Sequence, residues 1–343
     1  MCPEQSALQT SSEYGSDMTR LHLGALLASA VLAIILLVLL FEFTDLDLAA
    51  IGGLLLGANP QAFVEIVLLL GLNNVLAGEK WRLIAVRAQE DDGRPMPRIL
   101  YFAFTSIGVA LGQFLPAQLT LVFSRSIGAH LYGGRPLARG AVATVFDYFF
   151  DLLVAVFFAL SSALVLVGGG GAGAWALCAL VILIAGFLLY GAAARLAVGT
   201  AHLLGSRGRS RFHGFCTTIA LSPLLVPKIG RWLLAISLMR FGVLVLMGAA
   251  SANAVALDVP LWRLAAALPF AAITNALAIT PGGLGINEWA ASSVLFALGT
   301  PFQVSAQWAV VNRVLVAVAA GLCGITGLLI AVAARSLGPP RVV

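Results

Sequence analysis

Long apolar runs recur along this chain and constrain its fold more than any other feature. Each run is about 20 residues long, which is the length a helix needs to cross the roughly 30 Å hydrocarbon core of a bilayer. They cover residues 21–41, 61–78, 140–167, 174–194, 232–250 and 304–333. Because backbone polar groups in lipid must be satisfied within the segment itself, the runs predict helices. The sequence therefore predicts an all-α polytopic membrane protein with about six full spans.

The composition excludes several other classes of protein. Of the 343 residues, 60% are hydrophobic and 10% are charged, which rules out a water-soluble fold. The cysteines at 2, 178, 216 and 323 are too scattered for a disulfide framework or a metal site. No basic face suits a nucleic acid, and no nucleotide-binding loop or hydrolase motif is present. We therefore expect no enzyme activity, no cofactor and no metal.

Two apolar segments are broken where a span would otherwise continue. One break follows Leu115, and the other lies in the stretch 279–288, Ile-Thr-Pro-Gly-Gly-Leu-Gly-Ile-Asn-Glu. Proline removes a backbone donor and glycine admits left-handed backbone, so no helix passes through unbroken. Freed backbone groups in lipid are tolerated only against protein or a polar cavity, which makes the breaks candidate sites. The residues that break the helices are Pro116, Pro281, Gly282, Gly283 and Gly285.

The distribution of Lys and Arg indicates how the broken segments enter the bilayer. If 99–123 crossed once, the loops 125–139 and 195–213 would carry seven cations outside. If that segment enters and leaves on the same side, every basic loop is cytoplasmic, as the positive-inside rule favours. The sequence thus predicts two re-entrant helical hairpins that enter from opposite faces, with tips at Pro116 and Pro281. It also predicts an inner (cytoplasmic) membrane protein with both termini in the cytoplasm.

The order of segments repeats in two halves. Each half reads span, short elbow, span, hairpin, span, and the hairpin prolines lie 165 residues apart, from 116 to 281. The elbows at 48–57 and 215–227 lie 167 residues apart, with reversed orientation. A near-constant offset of this kind predicts an inverted-topology repeat.

The repeat sets the expected domain bounds. We expect one transmembrane domain over 20–335, with halves of about 20–167 and 174–335. Residues 1–19 are polar and are expected to be a disordered cytoplasmic segment, and 336–343 a C-terminal tail.

A few ionisable residues lie inside the predicted spans. They are Glu65, Asp147, Asp151, Arg240, Glu288 and Arg313. Each costs roughly 2.5–3.5 kcal/mol at the bilayer centre, so we expect them to face one another or a wet cavity. Their signs suggest that Glu288 pairs with Arg313, and that Arg125 pairs with Asp147 or Asp151.

Two interpretations of these charges remain open. They are either structural ion pairs that hold the hairpins to neighbouring helices, or parts of a binding site at the membrane midplane. Taken together, the charges favour the binding site, because they gather near two broken helices. The candidate substrate-binding or gating residues are Arg125, Asp147, Asp151, Arg240, Asn287, Glu288, Asn312 and Arg313. Lys80 and Arg82, which flank Trp81, are interpreted as anchors at the membrane interface.

The stretch 279–288, followed by Asn312-Arg313 in the last span, resembles the lysylphosphatidylglycerol synthase transmembrane family. This flippase-like family is also labelled UPF0104. Its pattern is Pro-x-Gly-x-Gly-x-x-Glu with an Arg further on, which Pro281, Gly283, Gly285, Glu288 and Arg313 match.

The first half is similar to the family in a looser way. Leu115-Pro116 is followed by Arg125 and then by acidic residues in the next span. Thr120 and Leu121 stand where family members often carry Gly and an acidic residue.

The resemblance implies a protein that moves a lipid or lipid-linked amphiphile between leaflets, or that has an auxiliary role in cell-envelope lipid or glycan synthesis. From the buried charges beside the broken helices we expect movement by alternating exposure of a polar cavity. Glu288 and Arg313 would bind or gate, and Asp147 and Asp151 would meet cationic or hydroxyl groups. The best-known members carry a soluble aminoacyl transferase domain, which these 343 residues do not contain, so lysyl transfer is not expected. The expected partners are membrane lipids, including anionic lipids or lipid-linked glycans, and further copies of the chain.

The alternative class is a membrane scaffold or accessory subunit for a cell-envelope lipid or glycan synthase or a glycosyltransferase. A lipid-sized lateral opening to a polar cavity would favour transport, and a packed interior with an apolar face would favour the scaffold. A third class, an integral-membrane lipid enzyme, would need carboxylates lying open at a membrane surface.

Overall fold

The chain folds into helices joined by short turns. The computed structural model describes residues 27–87, 96–134, 136–205, 227–276 and 280–336, and these residues contain no strand. The helices are α1 (Leu27–Thr44), α2 (Leu48–Leu56), α3 (Pro60–Arg87), α4 (Arg98–Leu111), α5 (Ala117–Gly133), α6 (Leu137–Gly168), α7 (Ala172–Gly205), α8 (Pro227–Ala254), α9 (Leu261–Ala276), α10 (Ile286–Ala297) and α11 (Phe302–Ser336).

Six of these helices are long and apolar enough to cross a membrane, namely α1, α3, α6, α7, α8 and α11. This confirms the predicted all-α polytopic class with about six spans. The first elbow is the helix α2, whose start is capped because Asp47 accepts a hydrogen bond from the amide of Ala49. The second elbow, 215–227, lies almost entirely outside the described residues, so the inverted repeat remains a prediction.

Several helices extend beyond the apolar runs. The charged loop that was predicted to follow residue 78 is wrong in its first part, because α3 continues through Arg87. Helix α7 likewise continues to Gly205, into the predicted basic loop at 195–213. The run of apolar residues ends at the first charge, whereas the helical hydrogen bonds continue past it.

Both broken segments form helix–turn–helix hairpins. The first pairs α4 with α5, and the second pairs α9 with α10 through a 3₁₀ turn at Pro281–Gly283. The two tips meet, since the amide of Gly282 donates to the carbonyl of Leu115 over 3.0 Å. The breaks thus converge in the fold. Their entry from opposite membrane faces stays a prediction.

Small residues allow α11 to cross α4 closely. A Cβ on Gly324 would lie 2.5 Å from that of Ala110, and a Cβ on Gly327 would lie 2.6 Å from the carbonyl oxygen of Ala103. Neither glycine has a positive φ, so glycine is present here because the two backbones approach each other. This crossing holds the helix that carries Arg313 against the first hairpin.

Gly327→Val is therefore expected to destabilise the protein by about 1–3 kcal/mol, because the added side chain meets backbone that cannot rotate away. The measurement is the thermal unfolding midpoint of the purified protein in detergent. Gly321→Val is the matched control on the same helix, since a Cβ there meets nothing within 4 Å. Equal midpoints for the two variants would contradict the close crossing.

Candidate functional site

Five charged side chains from four helices form one connected group, here called the charge network. Its members are Lys80, Arg125, Asp147, Asp151 and Arg240. Lys80 Nζ lies 3.0 Å from Asp147 Oδ1 and 2.5 Å from Asp151 Oδ1. Arg125 Nη1 donates to Asp147 Oδ2 over 2.5 Å, and Arg240 Nη1 donates to Asp151 Oδ2. The charges therefore alternate in sign along a chain that begins at Arg125 and ends at Arg240.

The helices explain this arrangement. Asp147 and Asp151 are one turn apart on α6 and so share a helix face. Lys80 comes from α3 and reaches both carboxylates, and its Nζ also donates to Ser237 on α8 over 2.7 Å. The network thus joins the first hairpin, through Arg125, to three of the spans.

Burial differs between the two ends of the network. The side chains of Lys80 and Arg125 are 0% exposed and that of Asp147 is 2% exposed. Those of Asp151 and Arg240 are 23% and 14% exposed. The Arg125 end is sealed, with its guanidinium 5.2 Å from the centre of the Trp81 ring, whereas the Arg240 end is open.

The prediction that Lys80 is an interface anchor is wrong. Lys80 is buried between two carboxylates because it lies well inside α3 and not in a loop. Arg82 behaves differently, since it pairs with Glu79 over 2.7 Å in a partly exposed position. Glu65 was expected to face another charge or a wet cavity. It is exposed on α3 and is not part of the charge network.

The expectation for Asp147 and Asp151 also needs correction. They were expected to meet cationic or hydroxyl groups of a substrate. In the structure both carboxylates are already held by cations of the protein itself, and Asp147 is almost fully buried. They are therefore not available as a cationic head-group site.

The second charged group lies at the longer helix break. Glu288 Oε2 accepts a hydrogen bond from the amide of Gly285 over 2.6 Å, which caps the start of α10. Its other oxygen, Oε1, lies 3.8 Å from Nε of Arg313. Arg313 Nη2 donates to the carbonyl of Gln113 over 3.2 Å. Arg313 therefore contacts the second hairpin with one edge and the tip of the first hairpin with another.

Glycine is required at the break itself. Gly282, Gly283 and Gly285 have φ values of 58°, 71° and 82°. A Cβ on Gly283 would lie 2.1 Å from Nδ2 of Asn287. The side chain of Asn287 is held by Thr274, whose hydroxyl donates to Asn287 Oδ1 over 2.9 Å. The break is thus a tightly fitted turn that fixes the polar side chains around it.

A cavity of about 120 Å³ lies beside this turn, between the second hairpin and α11. Its polar lining comes from Asn287, Glu288, Asn312 and Arg313, and its apolar lining includes Trp308. Asn312 Oδ1 is buried and has no hydrogen-bond partner among the described residues. Arg313 is 19% exposed, and Glu288 is the one carboxylate paired with it among the residues that the structure describes. The cavity therefore offers an unused acceptor and a weakly paired cation to a small polar group.

A larger and more open pocket of about 650 Å³ lies elsewhere, where the end of α2 approaches the end of α8. Its lining consists of small or apolar residues and of the amides Asn59, Asn253 and Gln307, without a charged residue. Because the buried charges and broken helices lie outside it, the smaller cavity is the better candidate site. Among the described residues, no cluster of His, Cys, Asp and Glu could hold a metal ion.

The fold and these two charged groups define a class, a multi-pass helical membrane protein whose broken helices meet beside buried charges. The chain belongs to the family described as the lysylphosphatidylglycerol synthase TM region, which matches residues 25–335. This confirms the family suggested by the motif that ends at Glu288 and Arg313. Comparison with curated proteins and with solved structures found no match.

Proposed function

We propose that this protein moves a lipid or lipid-linked amphiphile across the membrane by binding its polar head group in the cavity beside Arg313. The observation that carries the proposal is the cavity lined by Asn287, Glu288, Asn312 and Arg313 at a broken helix. Polar groups gathered at the ends of discontinuous helices are how many membrane transporters build a binding site. Membership of the family supports the same function.

The cavity is suited to part of a head group. A volume of about 120 Å³ matches about four water molecules at roughly 30 Å³ each, so it holds a small polar moiety while the acyl chains stay in lipid. The unpaired Asn312 carbonyl would accept a hydrogen bond from that moiety, and Arg313 would donate one.

Crossing would require the two hairpin tips to separate. The contact between Gly282 and Leu115 closes the space between the breaks in this conformation. Arg313, which touches Gln113 of one tip and lies near Glu288 of the other hairpin, would exchange these contacts for the head group. If the head group binds Arg313 more tightly when the tips are apart, binding would shift the protein toward that open conformation.

We place the protein in the cytoplasmic membrane with both termini on the cytoplasmic side, acting without enzyme chemistry. Support comes from the positive-inside rule applied to the sequence, because the hairpin topology assigns Arg94, Arg135 and Arg207 to one side of the membrane. Membrane lipids are its proposed partners.

Arg313→Ala is expected to slow lipid movement at least about tenfold, since a charged hydrogen bond contributes about 1.5–3 kcal/mol. Glu288→Gln is expected to change the rate less, because the amide keeps an oxygen for the amide of Gly285. The measurement is the rate at which labelled lipid leaves one leaflet of vesicles that contain the purified protein.

Arg335→Ala is the control for this experiment, because Arg335 is exposed at the far end of the same helix. It should leave the rate unchanged. Vesicles with the wild-type protein that move lipid no faster than protein-free vesicles would contradict the transport proposal and favour the scaffold. A rate that Arg313→Ala leaves intact would show that the cavity is not the pathway.

A further inference from the structure

The charge network carries more positive than negative charge. Its cations are Lys80, Arg125 and Arg240, and its carboxylates are Asp147 and Asp151. All the ion pairs found among the described residues at these five side chains lie within the network, so one positive charge is left over. An unpaired charge inside a membrane protein is strongly unfavourable, and a bound anion would balance it.

The sealed end of the network has no room for that anion. Arg125 is fully buried, and it donates to Asp147, to the hydroxyl of Thr105 over 3.2 Å and to the carbonyl of Ala77 over 3.4 Å. All three nitrogens of its guanidinium therefore have acceptors within the protein.

Lys80 in the middle of the network is also closed to a ligand. Its ammonium group donates to Asp151 and Ser237 and lies 3.0 Å from Asp147 Oδ1. Its side chain is 0% exposed, so a ligand cannot reach it.

Arg240 at the open end differs from both. Its Nε donates to Asn73 Oδ1 over 3.2 Å and its Nη1 donates to Asp151. Its Nη2 donates to no acceptor among the described residues, and the side chain is 14% exposed. The leftover charge therefore coincides with the one guanidinium of the network that still has a free donor.

We propose that Arg240 binds the phosphate group of a lipid head group. An arginine with a free edge fits the oxygens of a phosphate, and it is less strongly hydrated than a lysine in the same place. Arg240 lies near the middle of α8, so the anion must travel at membrane depth, as a lipid phosphate would. This inference rests on the proposed function, because it gives the transported lipid a negative group that Arg240 binds.

The test is lipid binding by the full chain purified in detergent, followed by native mass spectrometry and by thermal unfolding. The probes are phosphatidylglycerol, a glucosyl diacylglycerol with the same acyl chains but no phosphate, and inorganic phosphate. The wild-type protein should bind phosphatidylglycerol more tightly than the glycolipid. Arg240→Gln should weaken phosphatidylglycerol binding roughly tenfold to a hundredfold and leave glycolipid binding unchanged.

Arg240→Gln should fold, because it leaves two cations facing two carboxylates. Arg240→Lys keeps the charge without the forked geometry and should retain part of the binding. Arg82→Gln is the matched control, since the partner of Arg82 among the described residues is Glu79, which lies outside the network, and it should not change binding. Asp151→Asn raises the excess charge by one and should tighten phosphatidylglycerol binding.

Equal binding of phosphatidylglycerol by wild type and Arg240→Gln would overturn the site, as would equal binding of the two lipids by the wild type. Inorganic phosphate that binds as tightly as the phospholipid would overturn the assignment to a lipid. Arg240-dependent binding without any lipid movement in vesicles would refute the proposed function and leave this site standing. Lipid movement without Arg240-dependent binding would refute the Arg240 site and leave the proposed function standing.

Discussion

Asp147→Ala is expected to destabilise the protein by about 3–5 kcal/mol, because it leaves buried charges without their partner. Asp147 is the carboxylate that both Lys80 and Arg125 contact. Without it, Lys80 keeps Asp151, but the acceptors left to the fully buried Arg125 among the described residues are neutral. A loss of this size exceeds a third of the stability of many folded domains, which is about 5–15 kcal/mol.

The measurement is the thermal midpoint in detergent, together with the fraction of protein that elutes as a single species in size-exclusion chromatography. Glu79→Ala is the control, since it removes a carboxylate that is 37% exposed and whose partner within the described part of the chain is Arg82. Its effect should lie within about 0–1 kcal/mol, as for other exposed ion pairs.

A second variant separates charge from packing. Asp147→Asn with Arg125→Gln removes one carboxylate and its sealed cation together, so the remaining network has the same excess charge as the wild type. We expect this double variant to be more stable than Asp147→Asn alone. If the double variant were less stable than Asp147→Asn alone, the pair of Arg125 and Asp147 would stabilise the protein through packing and not through charge balance.

The sequence predicts the spans well because an apolar run depends only on neighbouring residues. The six predicted runs correspond to the six long helices, with ends that differ by up to about three turns at α3 and α7. The helix ends differ from the predicted ones because the first charged residue was taken as the edge of the membrane. A helix continues past that residue as long as its backbone hydrogen bonds do. Lys80 shows the consequence, since the helix carries it into the interior.

The two charged groups were not equally predictable. The cavity beside Arg313 could be anticipated because the break and Glu288 are close in sequence, and a Pro-Gly-Gly turn is a local feature. Lys80 lies 67 residues before Asp147, and no local sequence pattern connects the two. One signal for Lys80 was present in the sequence. Asp147 and Asp151 share one helix face, and Arg125 alone could not pair with both, so a second cation was to be expected there.

The contact between the hairpin tips follows only in outline from the sequence. Two prolines at matching places in a predicted repeat indicate that the tips converge. The hydrogen bond from Gly282 to Leu115 and the reach of Arg313 to Gln113 depend on how α4 and α11 pack. Those distances are set by small residues at the crossing, such as Gly324 and Gly327.

Gly282→Ala is expected to destabilise the protein by more than about 2 kcal/mol. A left-handed backbone conformation costs an ordinary residue about 1–2 kcal/mol, and Gly282 has φ 58° and ψ 14°. The added Cβ would also lie 2.4 Å from Nη2 of Arg313 and 2.5 Å from the carbonyl oxygen of Gln113. The two tips must therefore move apart, and the hydrogen bond from Gly282 to Leu115 lengthens or breaks.

Gly134→Ala measures the backbone part of this effect alone. Gly134 ends α5 with φ 63° and ψ 19°, nearly the same conformation, and a Cβ there meets nothing within 4 Å. Both variants are compared by thermal midpoint in detergent, and the amount by which Gly282→Ala falls below Gly134→Ala gives the contribution of the contact between tips. Equal midpoints would mean that the tips do not hold each other.

The source of the clash can be resolved further with Arg313→Ala. Removing that side chain relieves one close contact and leaves the carbonyl of Gln113 in place. If the guanidinium is the main obstacle, Gly282→Ala should be milder in the Arg313→Ala background, with a coupling of about 0.5–3 kcal/mol. If the backbone of the first hairpin is the main obstacle, the two effects should add. Only the first result would show that Arg313 joins the tips directly, which is the arrangement that lets head-group binding at Arg313 open them.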